Sequence, residues 1–225
     1  ILGVTDRIVL SPDRSFFTTP LLLKNTYAVE ADLMSTGVSY AWAERLIQYT
    51  VEGRGLIELA SQVPPGSEGV LFYPYLAGGE QGVLWDERLS GAILGLTVNH
   101  SLPHMLRAVL EGMCYESLRC ISAFEAGGCL CSSILCTGAV TGDAFFMQLL
   151  ADISGRTCRA AREASGSALG AGLIAGASIG AWSLDDLSRI TKGNGREYYP
   201  RQETRALYEQ GYLRYLQHTR NARID

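Results

Sequence analysis

A glycine-rich turn at residues 137–142 is the clearest candidate binding element in the chain. Its sequence is Thr-Gly-Ala-Val-Thr-Gly, and it stands between a predicted strand and a predicted helix. Glycines let the backbone approach a ligand closely, and the amides that begin the next helix carry partial positive charge. Such a turn can hold a phosphate or the polar edge of a nucleoside. An ordinary strand-to-helix turn has the same composition, and the sequence matches neither a Walker motif nor a dinucleotide fingerprint.

A second candidate turn, Gly-Ala-Ile-Leu-Gly-Leu-Thr at residues 91–97, precedes the longest predicted helix. Ligands of open α/β sheets bind in the loops at the carboxyl ends of strands, which favours both turns. Residues 166–172 are also rich in glycine, but their register is wrong for a glycine fingerprint. Close packing of a helix explains those small residues better.

No convincing set of nucleophile and base is visible. The three histidines of the chain accompany no Gly-x-Ser-x-Gly motif between a strand and a helix. Glu30, Asp32, Glu80 and Asp86 stand in predicted loops, where a carboxylate could act but is usually solvated. The residues themselves therefore predict a nucleotide-sized binding site without a catalytic group.

Metal binding and disulfide bonds are not expected. His100 and His104 are four residues apart, but Ser101 is a typical N-cap and Pro103 falls in the first helical turn, so His100 lies outside the helix. The six cysteines include no two pairs at zinc-finger spacing. A domain of this size needs no disulfides, so we expect reduced thiols in a cytoplasmic protein.

The elements that must position these turns alternate along the chain. Strands are predicted at residues 1–4, 8–10, 21–23, 27–29, 70–73, 133–136 and 157–160, with a long loop at 77–95. Helices are predicted at residues 40–49, 56–62, 102–124, 143–153, 164–179 and 203–217, and a further helix begins at 183. This order predicts an α/β domain with a mixed sheet covered by helices on both faces.

The apolar faces of three helices follow from their periodicity. On helix 102–124 an apolar stripe recurs every three or four residues, and Arg107 and Glu111 lie off it. Helix 164–179 is predicted to be buried against a sheet. The final helix, 203–217, is predicted to turn five side chains inward: Leu207, Tyr208, Tyr212, Tyr215 and Leu216.

Composition excludes several classes of protein. The 225 residues are 47% hydrophobic and 19% charged, which is too apolar for a disordered chain. The net charge of −4 gives no basic footprint for nucleic acid, and the only basic concentration, Arg220 to Arg223, is interpreted as a solvated tail. The uncharged stretch 166–182 is short and built of Gly, Ala and Ser, so we expect no membrane insertion. Ile1 opens in an apolar pattern without a secretory signal, which suggests a piece of a longer protein.

Residues 91–111 carry a resemblance to a known family. They resemble the second signature of the FGGY family of carbohydrate kinases, in which a Gly-x-apolar-x-Gly-apolar group precedes a polar-apolar pair and an acid. The matching residues are Gly91, Ile93, Gly95, Leu96, His104, Met105, Ala108 and Glu111. Further similar segments, in family order, are 30–37 with Trp42, 72–80 with Trp85, 148–155 and 168–171, so the resemblance covers about residues 1–190.

The resemblance implies a fold and a domain organisation. The family has two actin-like, ribonuclease H-like lobes with the active site between them, and this chain resembles only the C-terminal lobe. It is expected to form a single domain over residues 1–225, with an extension at about 191–225 whose final helix packs on it. The family's general-base aspartate and Gly-Thr phosphate loop are expected upstream of Ile1. No catalytic residue and no metal ligand is therefore assigned here.

The resemblance also implies nucleotide-binding residues. Gly95 and Thr97 match the loop that lines the nucleotide side of the cleft. Gly138 and Ala139 match the family's Gly-Gly-Gly-Ala turn against the adenine and ribose. The predicted nucleotide-binding residues are Gly95, Thr97, Gly138, Ala139, Thr141 and Gly142.

Three departures weaken the match at the nucleotide site. Two glycines of the family turn are replaced by Cys136 and Thr137. One or two extra residues precede Phe145 and Phe146. The family's Gly-Glu-Arg-x-Pro is replaced by Gly-Glu-Gln-Gly-Val at residues 79–83. The register of the turn against a nucleotide therefore stays open.

The implied function is that of a nucleotide-binding lobe in an ATP- and Mg²⁺-dependent kinase that phosphorylates a sugar hydroxyl, with a pentulose such as xylulose as substrate. Its expected partners are the carbohydrate, ATP and the missing N-terminal lobe, without nucleic acid or membrane, and a homodimer is left open. The isolated chain is expected to be inactive. Two alternatives remain: a non-catalytic or regulatory actin-like lobe that has lost nucleotide, and another actin-like ATPase.

Overall fold

A computed structural model describes residues 1–34, 36–48, 55–80, 82–161, 166–183, 186 and 195–224. Within these ranges the strands are β1 (Leu2–Thr5), β2 (Phe17–Pro20), β3 (Tyr27–Glu30), β4 (Leu71–Tyr73), β5 (Ala92–Leu94), β6 (Ser133–Cys136), β7 (Thr157–Ala160) and β8 (Glu197–Tyr198). The helices are α1 (Thr36–Gln48), α2 (Leu56–Ala60), α3 (Leu102–Ala126), α4 (Ala144–Ser154), α5 (Gly166–Ser178) and α6 (Gln202–His218).

The strands of the described residues form three sheets. β1, β3 and β2 make an antiparallel sheet in that order, and β4 and β5 make an antiparallel pair. β6 pairs parallel to β7, which pairs antiparallel to β8. The predicted α/β class with a mixed sheet is confirmed in the β6–β7–β8 sheet. The first five strands form the two other sheets, in which every pairing is antiparallel.

Helix α3 is the centre of the core. It has 25 residues, and most of them from Leu106 to Phe124 are buried. Gly112 brings it close to β4, since a Cβ atom there would lie 2.2 Å from the carbonyl oxygen of Phe72. On the side of α6, Tyr208 and Tyr215 are buried against α3, whereas Leu207 and Leu216 are exposed, contrary to the sequence prediction.

Arg107 and Glu111 form a buried ion pair on α3. They are 4% and 2% exposed, and the Arg107 Nε lies 2.8 Å from the Glu111 Oε1. The amide of Gly66 donates to the same oxygen at 2.8 Å, and the Ser67 hydroxyl donates to Oε2 at 2.9 Å. The Tyr208 hydroxyl accepts from Arg107 and donates to Glu111. Every side of the pair is thus hydrogen-bonded within the core.

The position of this pair corrects the sequence prediction that both residues lie off the buried face. The connection after α2 covers one side of α3, and the Arg107 guanidinium donates to the Val63 carbonyl there at 2.6 Å. Helix α6 covers the other side through Tyr208. Burial raises the pKa of Glu111, and the adjacent Arg107 acts against that shift. An apolar stripe therefore underestimates the buried surface of a helix that is packed all round.

The predicted strands at residues 8–10 and 21–23 are absent. The strand of that region is β2, and its pairing of Pro20 with Tyr27 leaves residues 21–26 as the connection to β3. The Leu21 amide closes that connection on the Thr26 carbonyl at 2.9 Å. In the run 8–10 only Val9 is buried. The loop predicted at 77–95 contains β5 and a short bridge between Glu80 and Asp86.

Helix α5 is not the buried helix that was predicted. Among its residues only Leu173 and Gly176 are buried. A Cβ atom at Gly172 would meet nothing within 4 Å, whereas one at Gly176 would lie 2.0 Å from the ring of Trp182. Close packing in α5 thus requires glycine at Gly176, against Trp182, but not at Gly172. The helix predicted to begin at residue 183 lies mostly outside the described residues.

The C-terminal basic segment is folded, and its interpretation as a solvated tail is wrong. Residues Thr219–Ala222 form a 3₁₀ turn after α6, with Thr219 and Ala222 buried. The Ser90 amide donates to the Ala222 carbonyl at 2.8 Å, and the Ile224 amide donates to the Arg88 carbonyl at 2.9 Å. The segment therefore adds an edge to the loop that precedes β5. All six cysteines are free, and within the described residues no helix is long and apolar enough to cross a membrane.

Replacing Arg107 with Ala should lower the free energy of unfolding by about 3–5 kcal/mol, because it leaves the Glu111 carboxylate buried without its counter-ion. Urea denaturation measures the change. Arg205→Ala is a matched control, since Arg205 Nε lies at the same 2.8 Å from Glu209 Oε1 but both side chains are more than 60% exposed. The control should cost less than about 1 kcal/mol. Equal losses in the two variants would contradict the role given to the buried pair.

Gly112→Ala should destabilise the fold by about 1–3 kcal/mol, because the new methyl group must push the β4 backbone away from α3. Gly172→Ala in α5 should instead be neutral or stabilise by up to about 1 kcal/mol, since alanine favours a helix and meets open space there. Thermal denaturation of both variants tests the difference. A Gly112→Ala variant as stable as the unsubstituted chain would show that α3 and β4 are not in close contact.

Candidate functional site

The two candidate turns lie at the same end of the fold. The turn predicted at 91–97 is in part strand β5 (Ala92–Leu94), and residues 95–101 lead from that strand into α3. The other turn follows β6 and leads into α4. The Arg107 guanidinium in α3 lies 5.4 Å from the ring centroid of Phe145 in the first turn of α4. The N-terminal ends of these helices are therefore packed against each other.

The turn before α3 depends on Gly95. Its φ is +81°, and a Cβ atom would lie 2.8 Å from the Gly69 carbonyl oxygen, so only glycine fits. Thr97 is exposed, and its amide donates to Nδ1 of His100 at 2.9 Å. The Ser101 amide donates to Nδ1 of His104 at 3.1 Å, which caps α3. Both imidazoles thus accept backbone bonds, and the described residues contain no group of three or more side chains suited to a metal ion.

The turn before α4 is closed by its own residues. Gly138 has a φ of +106° with open space around its missing side chain. Residues Ala139–Gly142 form one 3₁₀ turn, and Gly142 is exposed. The amide and the hydroxyl of Thr141 both donate to the Gly138 carbonyl, at 3.2 and 2.7 Å. The Gly138 carbonyl is thus occupied within the turn, and Gly138 itself is half-buried.

Asp143 changes what the turn can bind. Its carboxylate accepts the amides of Phe145 and Phe146 at 2.8 and 3.0 Å, so it caps α4. The partial positive charge of this helix end is therefore already compensated by a carboxylate. A phosphate placed here would face that carboxylate, whereas the hydroxyl groups of a nucleoside could donate to it. The geometry favours the polar edge of a nucleoside over a phosphate.

Two further residues lie beside this turn, and sequence reasoning missed them as site residues. Gly166 begins α5 against the turn, since a Cβ atom there would lie 3.2 Å from Cγ2 of Thr137. Tyr40 of α1 is close enough for Asp143 to affect it: burial, with the carboxylates of Glu44 and Asp143, raises the pKa of its hydroxyl. An Asp directly before a predicted helix is a typical N-cap signal, so the role of Asp143 could have been inferred.

Two of the four loop carboxylates have structural roles. Glu80 is 4% exposed and accepts the amides of all four residues from Gly82 to Trp85. Asp86 forms ion pairs with Arg88 and Arg223. Glu30 and Asp32 remain exposed. Within the described residues, the carboxylate at the two turns is therefore the Asp143 cap.

Comparison with known proteins identifies the family. The C-terminal domain of the FGGY family of carbohydrate kinases matches residues 6–179. The chain is 28% identical over 193 residues to glycerol kinase from Coxiella burnetii, which covers 85% of this chain and 38% of that protein. The crystal structure of ligand-bound xylulose kinase from Lactobacillus acidophilus matches with a TM-score of 0.87 and 26% identity, over 98% of this chain and 44% of that one.

A third match concerns the fold alone. The crystal structure of Plasmodium falciparum glycerol kinase with ADP matches with a TM-score of 0.78 and 20% identity, over 97% of this chain and 45% of that one. The chain thus spans less than half the length of each of these relatives. The fold is the actin-like, ribonuclease H-like fold of the FGGY sugar kinases. The chain belongs to the FGGY family of carbohydrate kinases, and the part that matches is the family's C-terminal domain.

Proposed function

We propose that the chain is the nucleotide-binding lobe of an ATP-dependent carbohydrate kinase, and that residues 1–225 form one domain on which the segment 191–225 packs. The observation that carries the proposal is the pair of positive-φ glycines, Gly95 and Gly138, in the turns that lead into the packed helices α3 and α4. Family membership supplies the reaction class.

The adenosine end of ATP is proposed to lie against the turn before α4. There the backbone of Gly138, Ala139 and Gly142 offers a surface for the base, and the Thr141 hydroxyl is oriented by its bond to Gly138. The Asp143 carboxylate is placed to accept a ribose hydroxyl. Gly95 and Thr97 line the opposite side from the turn before α3. The ADP in the P. falciparum glycerol kinase supports a nucleotide ligand for this fold.

Mg²⁺ is proposed to arrive with the nucleotide. When bound, it would neutralise the negative charge that develops on the phosphates during transfer. Mg²⁺ commonly keeps several waters and takes few protein ligands. This chain's own contribution is to hold and orient the nucleoside.

The acceptor is proposed to be a sugar hydroxyl, with a pentulose such as xylulose as the specific substrate. The similarity to xylulose kinase from L. acidophilus supports the pentulose. The similarity to glycerol kinase supports the broader class of polyol hydroxyls. We place the sugar pocket and the general base in the part of the relatives that lies outside this chain's span. The six free thiols support a reducing compartment, and thus the cytoplasm.

Titration with ADP tests the nucleotide site. The chain should bind ADP with a millimolar or tighter Kd, and Gly138→Arg should abolish binding by filling the space before the turn. Gly155→Arg is a matched control, because Gly155 also has a positive φ and open surroundings but ends α4 at its far end. The control should bind ADP as the unsubstituted chain does. Absence of ADP binding by the full-length protein would favour the non-catalytic lobe instead.

The isolated chain should not phosphorylate sugars, because binding of the nucleoside alone provides neither a base nor an acceptor site. A coupled assay for ADP release, with xylulose, glycerol and gluconate as acceptors, measures this. The full-length protein serves as the positive control under the same conditions. Phosphorylation of a sugar by the chain of residues 1–225 alone would contradict the proposal that the general base and the sugar pocket lie outside this chain.

A further inference from the structure

A basic cavity of about 190 Å³ lies between the second half of α3, the loop before β5 and the 3₁₀ turn after α6. Three arginines line it together with one threonine, one aspartate and three leucines; the polar residues are Asp86, Arg119, Thr219, Arg220 and Arg223. Arg119 stands 17 residues after the start of α3, which is about 25 Å along the helix. The cavity is therefore remote from the candidate nucleotide turns.

The walls of the cavity are fixed by backbone bonds. Leu89 and Arg223 form an antiparallel bridge, flanked by the bonds from Ser90 to Ala222 and from Ile224 to Arg88. The Arg119 guanidinium donates to the Thr219 hydroxyl at 2.6 Å, and that hydroxyl donates to the Tyr215 carbonyl at 2.8 Å. The arginines of the C-terminal segment are thus held beside Arg119.

Arg119 is a buried cation with hydrogen-bond donors left over. Its side chain is 9% exposed, and its guanidinium lies 5.4 Å from the ring centroid of Tyr215. Its Nε lies 3.1 Å from Oε1 of Glu116, and the other Glu116 oxygen accepts the hydroxyls of Tyr75 and Tyr215. The Nε and the Glu116 Oε1 form an ion pair without a hydrogen bond, so both atoms lack a hydrogen-bond partner, and the guanidinium's hydrogen bond within the described residues is the one from Nη2 to Thr219. A buried guanidinium with unused N–H groups beside a cavity is suited to bind an anion.

The charges around the cavity leave a positive balance. Among the residues that line the cavity, Arg119, Arg220 and Arg223 contribute three positive charges against the one carboxylate of Asp86, and Glu116 adds a second carboxylate behind Arg119. Asp86 is engaged in its ion pairs with Arg88 and Arg223, and these pairs hold its pKa well below its usual range. The C-terminal end of α6 adds about half a negative charge, so the balance stays positive.

We propose that this cavity binds a phosphate-class oxyanion, either free or as the phosphate group of a small metabolite. Guanidinium groups match the oxygens of such an anion in geometry. The Thr219 hydroxyl gives its proton to the Tyr215 carbonyl, so its part is to hold the Arg119 guanidinium in place. The volume exceeds that of a single water, which is about 30 Å³ in the liquid, and admits one tetrahedral anion. The ligand would join the loop before β5, α3 and the C-terminal turn.

Calorimetric titration of the chain with inorganic phosphate, at constant ionic strength set with chloride, tests the proposal. Binding should be saturable, and Arg220→Gln should weaken it about tenfold, the effect of one charge-assisted hydrogen bond. Arg220 is exposed and follows α6, so its replacement should leave the melting temperature unchanged. Arg205→Gln, on the exposed face of α6, should leave phosphate binding unchanged.

Two further measurements separate this site from other sources of binding. Gly138→Arg should retain phosphate binding, because the nucleotide turns are remote from the cavity; loss of binding in that variant would assign the phosphate to the nucleotide site and overturn the proposal. Titration with glucose 6-phosphate identifies the source: tighter binding than inorganic phosphate indicates a metabolite, and equal or weaker binding indicates free phosphate. Absence of saturable binding, or an equal effect of Arg205→Gln and Arg220→Gln, would also overturn it.

Discussion

The buried pair of Arg107 and Glu111 organises the packing around the central helix. A carboxylate and a guanidinium in a low-dielectric core are stable only when their remaining donors and acceptors are also satisfied. Here the partners come from the turn after α2 and from α6, which are 44 to 101 residues away in sequence. Three segments must therefore be in place together before the pair can be buried. This requirement fixes how α6 and the connection after α2 close over α3.

The same turn connects the core to the candidate site. Glu111 holds the amide of Gly66 and the hydroxyl of Ser67, and the Gly66 carbonyl accepts the amide of Gly69. The carbonyl of Gly69 is the atom against which Gly95 packs. The position of the loop before α3 thus depends on a short series of contacts that begins at a buried carboxylate. The geometry of this surface loop therefore depends on charge pairing in the interior.

Much of this architecture follows from local sequence patterns. The strand-turn-helix order around residues 137–142 and the capped start of α3 are confirmed, because turn glycines and N-caps act within a few residues. The buried ion pair was missed since periodicity assigns charged residues to the surface, and its partners are distant in sequence. The strands expected at 8–10 and 21–23 failed for a related reason: hairpin register, and not apolar content, decides which residues pair.

At the candidate site, likewise, local backbone features could be predicted from the sequence, whereas side-chain orientations could not. The positions of Gly95 and Gly138 followed from the motif, and their backbone angles agree with residues that only glycine fits easily. The Asp143 carboxylate accepts the amides of Phe145 and Phe146, so these amides are not available to a ligand. This effect depends on the orientation of the Asp143 side chain. The extent of burial of α5 was overestimated because small residues permit close packing without requiring it. Side-chain orientation and tertiary contacts are the parts that sequence patterns leave undetermined.

Two glycines, one in the loop before α3 and one within α3, pack against the same short segment of backbone that leads into β4. Gly95 packs against the carbonyl of Gly69, and Gly112 packs against the carbonyl of Phe72. Two oxygen atoms three residues apart thus forbid any side chain at positions in a loop and in a helix. An insertion or deletion in the segment that leads into β4 would displace both carbonyl oxygens, so it would disturb the packing at both glycines together.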